Sequence, residues 1–161
     1  MENNESFNLT ELAVQAANSI LSPLGLDYTI ATEHPTDGDG VCLMITSTDA
    51  AIIIGDEGDR LDDLQYLVNR IVQATMPDAA RVRVDCDHYR ARSEAKLLRR
   101  ARSRAERVLQ TGKPLMMEKL NAYQRRLVHN ELATIPGIYT ESEDTESRFK
   151  RITISCVTEE S

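Results

Sequence analysis

The stretch IIIGDEGDRLDDLQYLVN at positions 52–69 constrains the fold more than any other part of the chain. A short apolar run enters a Gly-x-x-Gly turn, and an amphipathic helix leaves it. Glycine permits the backbone conformations of such a turn, and a turn before a helix can direct N–H groups at a phosphate. The residues between Gly55 and Gly58, however, are Asp56 and Glu57, whose carboxylates repel a phosphate.

This acidic turn has two interpretations. Acidic side chains at a helix N-terminus stabilise the helix by about 0.3–1 kcal/mol each, which is a structural role. Alternatively the turn binds a metal ion or a basic partner, although its spacing is not that of a calcium-binding EF-hand loop. We favour the structural role and predict no metal site. The acids concerned are Asp56, Glu57, Asp59, Asp62 and Asp63.

Hydrophobic periodicity predicts the elements on either side of the turn. In residues 1–87 helices are predicted at 8–22 and 59–75, and strands at 27–34, 40–47 and 80–86. Residues 48–54 fit either a short buried helix or a strand. Asn8 or Thr10 is predicted to cap the first helix, and Asp59 the second. The predicted buried face of the second helix is Leu61, Leu64, Leu67, Val68, Ile71 and Val72.

The second part of the chain begins with a long helix, predicted over 88–111. No flexible linker precedes it, so it is expected to join two packed units directly. A short strand at 115–117, a helix at 119–133 and strands within 137–143 and 147–157 are predicted to follow. The predicted apolar seam of the long helix is Leu98, Ala101, Ala105, Val108 and Leu109.

Charge divides the chain at the same place. Residues 1–87 hold 4 basic and 16 acidic side chains, whereas residues 88–156 hold 15 basic and 8 acidic ones, within a total net charge of −7. A basic part on an acidic chain indicates an anionic partner such as nucleic acid. The alternative is a set of solvated helix faces with no ligand.

Several classes of protein are excluded or disfavoured. No apolar run approaches the roughly 20 residues of a membrane span, and the N-terminal residues lack the pattern of a secretory signal. The odd number of cysteines (Cys42, Cys86 and Cys156) favours reduced thiols in a cytoplasm. Cys86 and His88 have no second pair at zinc spacing, and no catalytic fingerprint is present, so we predict neither an enzyme nor a cofactor.

The segment NAYQRRLVHNEL, residues 121–132, contains the most specific candidate for phosphate binding. Arg125 and His129 lie four residues apart on a predicted helix, so their side chains meet on one face. We predict that this face is exposed, opposite a seam of Leu120, Tyr123 and Leu127. An arginine fork and an imidazole N–H side by side can bind one phosphate. The alternative is an exposed pair without a ligand.

Residues 121–154 resemble the R-3-H domain, which is named for an Arg and a His separated by three residues and is associated with single-stranded nucleic acid. The segments LDDLQYLV and HYRARSE, together with the turn and the long helix, resemble the K-homology (KH) part of bacterial Jag, or SpoIIIJ-associated, proteins. This resemblance implies an α+β chain with a type II KH domain (α-β-β-α-α-β) at 1–87. A long helix joins it to a small α/β R-3-H domain at 88–157, and a tail occupies 158–161.

The sequence differs from the family pattern in two respects. Jag proteins commonly carry an additional N-terminal domain, and this chain is expected to lack it. KH domains that bind nucleic acid usually have a basic residue between the two glycines, where this chain has Asp56 and Glu57. We therefore expect nucleic acid to be bound by the second unit, with the KH loop (Gly55, Asp56, Glu57 and Gly58) impaired.

The expected ligand is single-stranded RNA or DNA. A homodimer, or a heterodimer with a small KH-only protein, and a role in cell elongation and division are implied by the family. The alternative is a protein-interaction module. For base stacking the chain offers Tyr123, Tyr139 and Phe149, of which Tyr123 is expected in the core. The expected phosphate-binding residues are Arg125, His129, Arg126, Lys119, Arg148, Lys150 and Arg151, extended along the long helix by Arg92, Lys96, Arg99 and Arg100.

Overall fold

A computed structural model describes residues 2–36, 38 and 40–157, with side-chain positions beyond residue 8. The contacts divide the chain into two compact units, residues 1–90 and 91–161. The chain is α+β, as predicted. The predicted tail at 158–161 lies outside the described residues. No disulfide joins the three cysteines, all of which lie in the described part.

The first unit places its helices against one three-stranded sheet. Its helices are α1 (Glu2–Leu21), α2 (Ala50–Ile54) and α3 (Asp59–Thr75), and its strands are β1 (Tyr28–Glu33), β2 (Val41–Ser47) and β3 (Val82–Cys86). Strands β1 and β2 are antiparallel, and β2 pairs with β3 in parallel. A parallel pair needs a crossover connection, which α2, the glycine turn and α3 provide. The order of elements is the predicted one, and the ambiguous segment 48–54 contains a helix.

Two sequence predictions for these helices were wrong. Helix α1 begins at Glu2, so neither Asn8 nor Thr10 is its cap. Leu67 and Ile71 of α3 are 46% and 38% exposed. The buried residues of α3 form a single stripe, and each of these two lies one residue, or about 100°, to its side. The stripe consists of Leu61, Leu64, Val68 and Val72.

The second unit packs helices against an antiparallel sheet with strand order β4-β6-β5. Its elements are the long helix α4 (Tyr89–Thr111), which starts at the end of the first unit, then β4 (Leu115–Met116), α5 (Ala122–Leu132), β5 (Ile138–Ser142) and β6 (Ile152–Cys156). The core contains Ala101, Ala105 and Val108 of α4, Val128 and Leu132 of α5, and Ile152 and Ile154 of β6.

The apolar seam of α4 was predicted correctly at Ala101, Ala105 and Val108 and wrongly at Leu98 and Leu109. Leu97 is buried rather than Leu98, and Leu109 is 46% exposed. The stripe 97, 101, 105 and 108 is continuous on one side of the helix, whereas Leu98 and Leu109 project about 100° away from it. With leucine at both 97 and 98, the sequence pattern does not decide between them.

Candidate nucleic-acid interface

The glycine turn of the first unit has a sharply folded backbone. Gly55 and Gly58 have positive φ angles of 75° and 86°, and Glu57 between them also has a positive φ, of 51°. Residues 56–58 therefore form a tight turn and not a regular helix, because the backbone of Glu57 is not helical. Gly58 is the N-cap of α3 and no side chain caps that end, so the predicted capping role of Asp59 was wrong. The Asp59 carboxylate instead accepts a bond from the Arg60 N–H at 2.7 Å.

Both glycines are required by the structure of the unit itself. A Cβ on Gly58 would lie 2.7 Å from Cε1 of Tyr89, so packing and a φ of 86° both require glycine there. At Gly55 the near atom, Oδ1 of Asp59, is the end of a flexible side chain, and the φ of 75° is what favours glycine. The shape of the turn therefore does not depend on a ligand.

The acidic side chains around the turn are mostly exposed to solvent. Asp62 accepts a bond from Nη1 of Arg90 at 2.7 Å. Within the described residues Asp56, Glu57 and Asp63 form no ion pair. No group of three or more His, Cys, Asp or Glu in the same residues is arranged to hold a metal ion. The turn thus presents uncompensated negative charge.

Helix α5 carries the Arg-x-x-x-His pair. Asn121 caps it through a reciprocal capping box with Gln124, so the helix begins later than predicted. Its buried residues are Val128 and Leu132. Arg125 and His129 lie three residues from Val128 and Leu132 respectively, and both are half-buried. The predicted exposed face was therefore wrong, because the seam that includes Tyr123 is not the buried one: Tyr123 is 58% exposed.

Arg125 links three segments of the second unit. Its Nη1 donates to the carbonyl oxygens of Leu120 at 2.8 Å and of Arg148 at 3.3 Å. Within the described residues the Nε–H and Nη2–H groups of Arg125 make no hydrogen bond. One side of the guanidinium is thus fixed by the protein, and the Nε–H and Nη2–H edge is available to two oxygens of an anion.

His129 faces β5 with both ring nitrogens. Nδ1 contacts Oγ1 of Thr140, and Nε2 lies 3.1 Å from Oγ of Ser142. Burial, and secondarily the positive charge of Arg125, hold the pKa of His129 below its usual value of 6.5. The ring is therefore mainly neutral at pH 7. It is half-buried, not the solvent-facing imidazole that the helix spacing predicted.

The remaining candidate residues of this unit differ in exposure. Lys119, Arg126, Arg148 and Arg151 are exposed, and Lys150 is half-buried. None of the five forms an ion pair within the described residues. The segment 148–151 is fixed through its backbone: Lys150 and Leu120 exchange two bonds of 3.0 and 2.8 Å, and the Arg151 N–H donates to Glu143 at 3.0 Å.

Six of the cations of α4 fall into two groups. Arg100 and Arg104 donate to Glu118 at 2.5 and 3.1 Å, and Arg102 donates to Glu131. At about 100° per residue, the second group shares the side of the helix opposite the buried stripe. That group is Arg92, Lys96 and Arg99, which have no ion pair in the described region. Of the four residues of α4 predicted to bind phosphate, Arg100 is thus in an ion pair and the other three are not.

Glu118 holds its two arginines as an anion. Burial alone would raise the pKa of its carboxyl. A backbone hydrogen bond and the neighbouring Arg100 and Arg104 outweigh burial and lower that pKa instead.

Sequence reasoning missed Thr140 and Ser142, whose hydroxyls contact the imidazole of His129. A signal for them was present. In a strand, alternate residues share a face, so Ile138, Thr140 and Ser142 of β5 point to the same side. Two hydroxyl residues on the core-facing side of a strand indicate a buried polar partner, because buried hydroxyls are normally hydrogen-bonded.

A family model for the R-3-H domain matches residues 95–155 of this chain. Over 147 residues the chain is 29% identical to a protein of Clostridium symbiosum named RNA-binding protein KhpB, covering 91% of this chain and 66% of that protein. Proteins of the same name are 33% identical over 101 residues in Lactiplantibacillus plantarum and 29% over 89 residues in Bacillus subtilis. These two matches cover 63% and 55% of this chain, and 31% and 43% of the relatives. The chain thus spans between about a third and two thirds of the length of these relatives.

Proposed function

We propose that this chain, a member of the Jag or SpoIIIJ-associated family, binds single-stranded RNA through its R-3-H unit, by occupancy rather than catalysis. The observation that carries this proposal is the half-bound guanidinium of Arg125 among unpaired cations. It lies within the segment that matches the R-3-H model. Relatives over most of this chain are named RNA-binding proteins.

Arg125 is the proposed primary phosphate ligand. Two carbonyl oxygens fix its Nη1, so little side-chain freedom remains to be lost when an anion binds. The Nε–H and Nη2–H edge has the parallel geometry that matches two oxygens of a phosphate. His129 is proposed to support the site by its charge, because both of its ring nitrogens contact hydroxyls of β5. An approaching phosphate favours its protonated form, so RNA binding is expected to be coupled to uptake of a proton.

Other cations extend the proposed site without reading bases. The nearby set is Arg126, Lys119, Arg148, Lys150 and Arg151, and the outward stripe of α4 is Arg92, Lys96 and Arg99. Such phosphate contacts give affinity that falls steeply with salt and carries little sequence preference. Single-stranded DNA is therefore expected to compete with RNA.

For the first unit we propose a type II KH domain whose nucleic-acid loop is impaired. Supporting this are the order of elements and the fold of the turn from Gly55 to Gly58. A carboxylate about 5 Å from a phosphate is repelled by roughly 1–3 kcal/mol. A weak single-strand site has a binding free energy of roughly 5–8 kcal/mol, and repulsion by Asp56 and Glu57 together offsets much of it.

A second candidate function for the first unit is protein interaction. Helix α3 leaves Tyr66, Leu67 and Ile71 exposed to 64%, 46% and 38%, outside the stripe that the unit buries. Exposed apolar side chains grouped on one helix are typical of interfaces. Such a surface suits a homodimer or a small KH-only partner, and the family points to control of cell elongation and division in the cytoplasm.

The proposal is tested by binding of a labelled single-stranded RNA to the parent and to an Arg125→Ala/His129→Ala variant. Loss of a charge-assisted contact of about 1.5–3 kcal/mol weakens binding by roughly 10- to 150-fold. Arg81→Ala, which removes one exposed cation from the first unit, is the control and should change affinity little. Circular dichroism verifies that each variant is folded. Equal affinity of the double variant and the parent would refute the site, and a parent that binds no RNA would refute the function.

A further inference from the structure

Phe149 is an exposed aromatic ring on a fixed backbone. The ring is 48% exposed. On one side of it, the Arg148 carbonyl accepts a bond of 3.3 Å from Nη1 of Arg125. On the other side, Lys150 exchanges two backbone bonds with Leu120. Residue 149 therefore lies between two anchored neighbours, and its ring projects outward although burial would be favourable.

The surroundings of this ring suit a nucleotide. The guanidinium carbon of Arg148 lies 5.7 Å from the ring centroid, within the range of a cation–π contact. The backbone of the same Arg148 is bonded to Arg125, the proposed phosphate ligand. An exposed π-face next to cations is the combination that single-strand-binding proteins use for bases and phosphates together.

The two exposed tyrosines of this unit, Tyr123 and Tyr139, are less suited to the same role. The Tyr123 hydroxyl donates to Glu94 at 3.0 Å. Tyr139 lies on β5, where Glu141 shares its side of the strand, and Tyr139 and Glu141 pair with Ser155 and Thr153. Each tyrosine thus has a carboxylate beside it, which repels the phosphate of a stacked nucleotide. The residues that flank Phe149 in the chain are instead the cations Arg148 and Lys150, and the Glu143 carboxylate of this segment accepts a bond from the Arg151 N–H.

We propose that Phe149 is a stacking platform for one unpaired nucleobase whose phosphate is bound by Arg125. This inference rests on the proposed RNA-binding function and adds the base-contacting residue to it. Stacking requires a base free on one face, so the platform selects single strands over duplexes. Because every base has a π-face, it selects little among the four bases.

Phe149→Ala is the direct test, measured with a single-stranded RNA and with an abasic oligonucleotide of the same length. We expect the variant to bind the RNA about 5- to 150-fold more weakly than the parent, the range that loss of one stacked base gives. We expect parent and variant to bind the abasic oligonucleotide equally, because it offers phosphates and no base. Tyr139→Ala is the matched control and should leave both affinities unchanged.

A fluorescent reporter gives a second measurement. The chain contains no tryptophan, so Phe149→Trp and Tyr139→Trp each introduce a single tryptophan, which can be excited at a wavelength that tyrosine does not absorb. Emission from position 149 should be quenched by single-stranded RNA and unaffected by the abasic oligonucleotide, and emission from position 139 should not change.

The outcomes separate this inference from the function on which it rests. If the parent binds RNA but Phe149→Ala binds it equally well and the emission of Phe149→Trp is not quenched, the platform is wrong and the function stands. If Phe149→Ala weakens binding of the abasic oligonucleotide as much as RNA, the ring only supports the loop, and the platform is also wrong. A parent without RNA affinity would overturn both.

Discussion

The two units differ in the features that they offer to a phosphate: a folded glycine turn in the first and positive side chains in the second. The turn from Gly55 to Gly58 has a sharply folded backbone with two positive-φ glycines but exposes acidic side chains. The Arg125 region has no glycine turn, yet it has a half-bound guanidinium among unpaired cations. Backbone shape and charge are therefore specified independently along this chain. Neither alone is evidence for a ligand.

The shape of the glycine turn also has a cause inside the protein. Gly58 lies against Tyr89 so closely that any Cβ would overlap the ring. Such a turn is retained by packing and by its positive φ, whether or not an anion binds. In the second unit the determinants are side chains, whose positions depend on hydrogen bonds between distant segments.

The largest effect is expected from Gly58→Ala, which tests whether packing alone requires the turn. The φ of 86° and the contact of 2.7 Å with Tyr89 act together. We expect a loss of about 2–4 kcal/mol in the free energy of unfolding, from left-handed strain and overpacking. Gly25→Ala is the matched control, because Gly25 has a φ of 67° and nothing within 4 Å of the added Cβ. It should lose only about 1–2 kcal/mol. Equal losses in urea denaturation would show that the Tyr89 contact is unimportant.

The next prediction tests whether charge alone causes the difference between the two units in binding a phosphate. Asp56→Lys/Glu57→Lys replaces two repulsions of a phosphate by two attractions on an unchanged turn. We expect RNA affinity to rise by tenfold or more, about 1.4 kcal/mol, with a steeper dependence on salt. The measurement is a salt titration of binding to single-stranded RNA.

The control for this gain changes the net charge by the same amount, but elsewhere in the first unit. Glu11→Lys/Asp78→Lys suits the purpose because both residues are exposed and Asp78 follows the far end of α3. If the control gains as much affinity as the turn variant, the effect is general attraction, and the turn does not have a binding geometry.

The sequence predicted the elements well because their signals are local. Glycine and proline mark the ends of helices, and alternation marks β3, where Val82 and Val84 are buried and Arg83 is exposed. The order of six elements in the first unit follows from such signals. Choices between adjacent leucines were wrong, as at Leu97 and Leu98, because they depend on which tertiary partner covers the helix.

The candidate site was predicted by residue type but not by geometry. The spacing of Arg125 and His129 places them on one face of α5, but does not specify whether that face is exposed. Their contacts with Leu120, Arg148 and Thr140 come from segments 5 to 23 residues away. The ion pairs that withdraw Arg100, Arg102 and Arg104 from the basic surface are likewise long-range. Helical periodicity alone contains no information about such contacts.

A smaller effect is expected from the titration of His129. Its pKa in the folded protein lies below 6.5, so the unfolded chain binds the proton more readily. Stability is therefore full above about pH 6.5 and falls as the pH drops below that value. His129→Gln keeps groups that can bond Thr140 and Ser142 but does not titrate. As the pH falls from 7.5 to 5, the parent should lose more unfolding free energy than the variant. The shift should be less than about 1 kcal/mol, because the ring is partly exposed. A difference independent of pH would contradict this assignment.

The smallest effect concerns the paired cations within the basic unit. Glu118→Gln removes the anion that holds Arg100 and Arg104, and so releases two cations to solvent. Exposed ion pairs contribute about 0.2–1 kcal/mol each, so the loss of stability should be small. If released arginines reach the nucleotide chain, the slope of log affinity against log salt should steepen by roughly 0.7 for each new phosphate contact. Glu131→Gln is the matched control, because it releases Arg102 alone and should steepen the slope about half as much. An unchanged slope in both variants would show that the binding surface is limited to cations already unpaired in the protein. The contrast between the units would then arise from the few side chains around Arg125 rather than from the excess of positive charge as a whole.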